Sequence, residues 1–304
     1  MAGIVVHQDT VNGAGDADLR IDFHILAGDV AHSRFRPDQI RCRWLAQPFE
    51  PAHPVGALVE RQWRRNQATA AESGLQLFDG ALARLVAFRL QGDGLHLTLQ
   101  PTSYRVFSAT NLMLDAPMIP LSDGGRQSIR QLAGADVFRQ SSPYLANPLN
   151  VIATIVSRDA VTFVPRRSSR VYERPGTLQT SVGGALDKGE HPAVALRRET
   201  MEEWGLEIRE DEITFLALGV SGTTGEPDLL AMVRSRLSAE EIRRRYQRRA
   251  EQEEFTVFRQ VPLTRDNVGA AMELLATGDW SQPSDQAAFY LTLVRTVFSD
   301  HGPA

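Results

Sequence analysis

Short apolar runs separated by polar turns fill the first half of the chain. Residues 4–6 and 19–26 have the alternation of strands. Residues 54–73 change period and predict a helix, with good helix formers concentrated in 58–69. Residues 83–90 and 95–99 return to strand patterning. The sequence Gln91-Gly92-Asp93-Gly94 between them is turn chemistry that predicts a hairpin. Residues 127–132 predict a short helix stopped near Gly134. Pro143 and Pro148 then punctuate residues 141–148, which predicts a boundary between an N-terminal domain, 1–148, and a second domain, 149–304.

The second half begins with apolar runs at 151–156 and 160–164 around Ser157-Arg158-Asp159, which predict another hairpin. A strand at 178–182 leads into Gly183-Gly184, and a helix follows from Pro192 to Trp204. Strands at 214–220 and 229–236 come next. A charged helix over 238–252 opens on Ser238, with Glu241 at the capping-box position. A strand at 255–261 and helices at 267–277 and 284–298 close the series. Strands and helices are mixed, not arranged as a strict βαβ series. There is no internal repeat. The charge-rich run 240–254 mixes both signs and predicts a solvated helix face.

Composition narrows the classes. The 304 residues have ample material for a core, and 42% hydrophobic with 23% charged residues is ordinary for a globular protein. A net charge of -4 gives no global attraction to nucleic acid or an anionic membrane, so neither is an expected partner. A polyanionic substrate would instead be met by a metal ion or by local arginines. Cys42 is the single cysteine, which excludes an intrachain disulfide and a cysteine-only zinc site and fits a reducing cytosol. The N-terminus lacks a signal-peptide pattern, and no apolar stretch approaches the ~20 residues needed to span a bilayer. The expectation is a soluble, cytoplasmic protein. The seven histidines show no paired metal spacing.

The chemistry concentrates after Gly183. Gly184 is followed by Glu190, and seven residues later by Arg198-Glu199-Thr200-Met201-Glu202-Glu203-Trp204-Gly205-Leu206. On a helix Glu199, Glu202 and Glu203 fall at i, i+3 and i+4, where like charges repel unless a cation compensates. A hard divalent cation with oxygen ligands is the obvious compensation. Val194, Met201 and Trp204 are expected to pack the other side of the helix on a sheet. A bridge from Arg198 to Glu190 would tie loop to helix, and Gly183-Gly184 would let backbone approach a metal or phosphate.

Seven positions are fixed in this pattern, and a random match is on the order of 10⁻⁸ to 10⁻⁹ per starting position at ordinary residue frequencies. The segment resembles the signature box of the Nudix hydrolase superfamily, G-x5-E-x7-R-E-U-x-E-E-x-G-U. Thr200 stands where an aliphatic residue is usual. The resemblance implies an α/β/α sandwich with a mixed sheet, here preceded by a smaller N-terminal α+β domain. It implies hydrolysis of a nucleoside diphosphate linked to another moiety, with Mg²⁺ or Mn²⁺. By motif position Glu199 and Glu203 would be the chief metal ligands. Glu202 and the Gly184 carbonyl would assist, and Glu190 and Arg198 would be structural. A general base could be a box glutamate or an outside carboxylate such as Asp228, Glu253 or Glu254.

Other segments bear on the substrate. Leu77-Phe78-Asp79, residues 102–111 (TSYRVFSATN), residues 144–149 (YLANPL), Arg166-Arg167-Ser168, Pro175-Gly176 and residues 237–241 occur in order. They are similar to the animal Nudix type that cleaves UDP-glucose and UDP-galactose, nucleoside diphosphate-linked moiety X motif 22. That type has a degenerate box, whereas this one is complete. The likeness implies a UDP-sugar as substrate, with UMP and sugar 1-phosphate as products. ADP-ribose, another nucleotide sugar and a non-nucleotide diphosphate are the alternatives, and a non-catalytic nucleotide sensor is a different class. Arg166, Arg167 and Arg170 suit phosphate oxygens. Tyr104 and Arg105 could reach the site from the first domain to stack on a base or bind phosphate, a domain-interface hydrogen bond being the alternative; the first domain itself would cap the site or support a homodimer.

Overall fold

The computed structural model describes residues 23–28, 33–116, 118–121, 124–134, 142–169, 171, 175–248 and 255–263. In chain order these form β1 (Phe23–Ala27), β2 (Ile40–Trp44), α1 (Val59–Glu72), β3 (Ala81–Gln91), β4 (Gly94–Ser103), α2 (Tyr104–Thr110), β5 (Ile119–Pro120), β6 (Arg126–Gln127) and α3 (Ile129–Ala133). There follow β7 (Asn150–Val156), β8 (Val161–Arg167), β9 (Val182–Ala185), α4 (Pro192–Trp204), β10 (Ile213–Ser221), β11 (Pro227–Arg234), α5 (Ala239–Gln247) and β12 (Phe255–Pro262). The expected strand at 4–6 and the expected helices at 267–277 and 284–298 lie outside the described residues.

The main sheet is mixed, as expected. Its order is β1-β10-β11-β7-β8-β12, with β9 also on β7. β11 and β7 run parallel, and the other pairings are antiparallel. Odd-numbered residues of β7 and β11, such as Val151, Ala153, Leu229 and Ala231, share one apolar cluster with Leu196 and Trp204 of α4. Even-numbered ones, Ile152, Leu230 and Met232, pack with Phe23 and Leu263 on the other face. This is strand alternation at work: successive side chains leave opposite faces.

Two features differ from the sequence reading. The predicted hairpin at 151–164 is paired only where Val156 meets Thr162. Beyond that point the segment 178–185 inserts between the arms, with Leu178 bridging Arg166 and β9 pairing with β7. The strand expected at 178–182 therefore runs through the two glycines. The chain before residue 148 also enters the main sheet. β1 pairs with β10, and Phe35 exchanges both backbone hydrogen bonds with Phe215, at 2.8 and 2.9 Å.

A second sheet, β2-β4-β3, carries the hairpin read at 83–99. Its Leu85, Leu95, Leu97 and Leu99 belong to the same apolar cluster as α4. β3 runs beside the chain that enters and leaves the main sheet. Leu85 N–H donates to the Asn147 carbonyl at 3.0 Å, and Leu149 N–H to Ala83 at 2.8 Å. Arg84, 3% exposed, donates to the carbonyls of Ser142 and Leu145 and lies 4.1 Å over the Phe49 ring. Burial without a carboxylate partner lowers its guanidinium pKa to about 10.

Helix α4 has the bounds its sequence predicts. Pro192 fits the first turn, where its missing N–H removes nothing. Gly205 ends the helix in the left-handed conformation, φ 65°, that glycine adopts freely. Its buried side is not the expected one, however. Val194 and Met201 are 49% and 45% exposed, while Leu196, Glu199, Thr200, Glu203 and Trp204 are buried. The i, i+4 stripe from Leu196 through Thr200 to Trp204 faces the sheet, and at 3.6 residues per turn Val194 and Met201 fall on roughly the opposite side of the helix from Leu196. Trp204 anchors the helix. Its indole donates to the Ser181 carbonyl at 2.5 Å, and the rings of Phe163, Tyr246, Phe255 and Phe258 lie within 6 Å.

Candidate active site

The site grows from β9. Gly184 sits opposite Val151, so it faces α4. A Cβ there would lie 2.0 Å from Oε1 and 2.2 Å from Cδ of Glu199. Glycine is required because the Glu199 carboxylate rests against the backbone. A tight loop follows. Gly189 turns with φ +88°, and the Glu190 carboxylate accepts from the Asp187 N–H at 3.0 Å.

Arg198 draws these groups together. It donates to both oxygens of Glu190 at 3.0 Å, to Glu199 Oε1 at 2.6 Å, to Glu202 at 3.4 Å and to the Ala185 carbonyl at 3.2 Å. The fork geometry of guanidinium suits the paired contact with Glu190. Hydrogen bonding to Glu190, against the opposing effect of burial and with further help from Glu199, holds Arg198 firmly protonated. Part of the carboxylate repulsion expected from the sequence is thus relieved inside the protein.

The acids are not equivalent. Glu199 and Glu203 lie on the buried stripe, 9% and 1% exposed, whereas the Glu202 side chain is 57% exposed. Thr200, between them, is fully buried and returns its hydroxyl to the Leu196 carbonyl at 2.6 Å. The box tolerates threonine here because that bond satisfies the only polar atom introduced. Among the described residues no three His, Cys, Asp or Glu side chains converge as a ready-made metal shell. The donor set nevertheless suits a hard cation: carboxylate oxygens on a fixed helix beside a backbone strand made bare by glycine.

The structure separates the other candidates. Asp228 is fully buried and accepts from Asn150 Nδ2 at 2.9 Å, its neighbour across the β11–β7 pair. Both alternate with Val151 and Leu229, so they lie on the sheet face away from α4. Arg166 is likewise out of step with Phe163, whose ring packs at a tilt against Trp204 under α4. Arg167 donates to Gln179 at 2.7 Å. Tyr104 packs edge-on to Trp63 and Phe107. Arg105 pairs with Asp79 at 3.2 Å and Glu60 at 3.3 Å. Both are thus engaged within the N-terminal region. Arg170, Glu253 and Glu254 lie outside the described residues.

Three groups escaped the sequence reading. His191 caps α4, a place where Ser, Thr, Asp or Asn is the usual signal. Asn111 and Asn147 bond reciprocally, at 3.0 and 3.1 Å, and Asn111 also donates to the Thr224 carbonyl at 3.0 Å. Arg130 holds the carbonyls of Gly222 and Thr223 at 2.9 and 2.8 Å. The loop between β10 and β11 is therefore pinned from the N-terminal side. Both asparagines stand in segments quoted above for their resemblance, which was the available signal.

Comparison with known proteins gives three findings. Residues 147–270 match the family model described as the NUDIX domain. No curated protein matches the chain. Among solved structures, the Deinococcus radiodurans protein DR0079 is similar at 23% identity over 48% of this chain and 81% of its own, with a TM-score of 0.37. The MutT protein of Methanosarcina mazei Go1 is similar at 14% identity over 51% and 96%, with a TM-score of 0.33. At such scores neither likeness adds weight. The domain match over the box agrees with the mixed α+β fold described above and makes this segment a Nudix hydrolase domain, acting on pyrophosphate bonds.

Proposed function

We propose, from the premise that residues 147–270 form a NUDIX domain, that the chain cleaves the diphosphate of a nucleotide sugar, UDP-glucose or UDP-galactose first, to UMP and sugar 1-phosphate. The observation that carries the chemistry is the Glu199 carboxylate seated on Gly184 and gripped by Arg198. Glu199, Glu203 and the Gly184 carbonyl would hold Mg²⁺ or Mn²⁺, with Glu202 assisting from the exposed rim. A divalent ion bound there supplies charge neutralisation of the diphosphate and a water of lowered pKa.

The chain's own residues do the rest. Arg198 and Glu190 fix the loop, so the carboxylates are oriented before substrate arrives, which removes reorganisation from the reactive step. Glu203, buried on the same stripe one turn beyond Glu199, is the box glutamate assigned to hold or accept a proton from the attacking water. Arg167 is assigned to substrate phosphate; Arg166, out of step with Phe163 on β8, is not. Tyr104 and Arg105 are assigned to holding α2 in place, given the contacts they make. The UDP-sugar assignment is supported by the resemblance of residues 102–111 and 144–149, whose Asn111 and Asn147 meet in one buried lock. A cytoplasmic location fits the single cysteine.

The test is incubation with UDP-glucose and Mg²⁺, with UMP measured by chromatography beside ADP-ribose and other diphosphates. UMP formation that EDTA abolishes is expected. No product from any diphosphate would overturn the hydrolase reading, and product from ADP-ribose alone would overturn the UDP-sugar assignment.

A further inference from the structure

The loop that carries Glu190 is held on both flanks by the N-terminal sheet. On the first flank β3 runs alongside. Ala83 N–H donates to the Leu186 carbonyl at 2.9 Å, Lys188 N–H donates to Ala81 at 3.3 Å, and Leu82 stands opposite Asp187. On the second flank stands His191. Its Nδ1 accepts from the Ala193 N–H at 3.2 Å, and its Nε2 lies 2.9 Å from the Ile40 carbonyl, at the start of β2.

An amide N–H only donates and a carbonyl only accepts, so one neutral tautomer, protonated at Nε2, satisfies both contacts. The usual capping side chains can accept from the first turn. They are too short to reach a strand of another sheet as well. An imidazole, with nitrogens on opposite edges, spans the gap.

We propose that His191 is a positioning residue: it ties the first turn of α4 to the N-terminal sheet and so sets where Glu199 and Glu203 fall relative to Gly184. What those carboxylates do rests on the function proposed above. The lever is simple. Trp204 anchors one end of α4 and His191 the other, roughly 20 Å apart at 1.5 Å per residue. Glu199 lies between them, so a 2 Å swing at the cap would shift it by roughly 0.8 Å on that geometry.

Two variants test the tie. His191→Ala removes both contacts, while His191→Asn keeps a cap but cannot reach Ile40. The ¹⁵N spectrum of the wild-type ring should show the proton on Nε2 with Nδ1 as acceptor. Binding of Mn²⁺ alone, followed by the paramagnetic resonance of the free ion, should weaken at least about 5-fold in His191→Ala, and kcat should fall about 10- to 100-fold with KM within about threefold. His191→Asn should lie between wild type and His191→Ala. A proton on Nδ1 in the wild type, or wild-type Mn²⁺ affinity and kcat in a folded variant, would overturn the proposal. Should His191→Ala fail to fold, His191→Asn is judged by the same criteria. If the wild type cleaves no diphosphate, the functional reading falls, and the tautomer and Mn²⁺ binding still decide the tie.

Discussion

Replacing Gly184 by alanine separates what the site needs from what the fold needs. The added methyl would begin 2.0 Å from Glu199 Oε1, whereas real Cβ contacts essentially never fall under 3.0 Å. The carboxylate must therefore retreat by at least about 1 Å, a displacement that in a catalytic constellation costs on the order of 100-fold in rate. The retreat also breaks the 2.6 Å contact from Arg198. Stability should suffer little, because the displaced group is the end of a rotatable side chain; about 1 kcal/mol, at the low end of overpacking costs, is expected. The assay pairs kcat for nucleotide-sugar hydrolysis with a urea melt of the same preparation. Adding Glu199→Asp, which shortens the side chain by one methylene, should restore part of the rate. A Gly184→Ala protein with wild-type kcat would refute the assignment of Glu199. One that unfolds would show that the glycine serves packing instead.

Three further outcomes are expected. Glu203→Gln should keep the fold and lose roughly 10² to 10⁴ in kcat, read from initial rates alongside circular dichroism; a loss below tenfold would remove Glu203 from the chemistry. Met201→Lys should change stability by less than about 0.5 kcal/mol, whereas Leu196→Ala should cost about 2–5 kcal/mol, both by denaturant titration; the reverse order would mean the buried side of α4 is misassigned. Partial burial pushes the Cys42 thiol up to about 12, so at pH 8 iodoacetamide should label it at least about tenfold more slowly in the native protein than in urea, by mass spectrometry; equal rates would contradict the raised pKa.

Much of the site was legible because its signals are local. Pro192 and Gly205 bracket α4, and the spacing of Gly184, Glu190, Arg198 and the glutamates survives any packing. Which side of α4 is buried was not legible. Val194 and Met201 look like core residues, and only the three-dimensional stripe through Leu196 and Thr200 shows that Glu199 and Glu203 occupy the covered side. β2 was missed although Ile40–Trp44 alternates arginine with apolar residues as a half-buried strand does; the run is short, and its partner β4 lies far along the chain. Tyr104 and Arg105 invited a substrate role as polar residues after a strand. Their partners Trp63, Asp79 and Glu60 are distant in sequence, and no local pattern points to them. The same holds for Asn111, whose contacts at Asn147 and Thr224 lie far along the chain.

The pairing of β1 with β10 joins residues 23–27 to residues 218–221, roughly two-thirds of the chain's length apart. Closing such a contact costs loop entropy before it returns any stabilisation, and non-local pairing of this kind slows folding. On the ribosome the N-terminal strand is made long before its partner emerges. Until then β1 has no strand to pair with, and unpaired strand backbone is the feature that recruits strands from other molecules. A chain lacking β1 leaves the β10 edge open and should therefore be prone to aggregation, and expression yield should depend on Phe23–Ala27 far more than their distance from the carboxylates suggests.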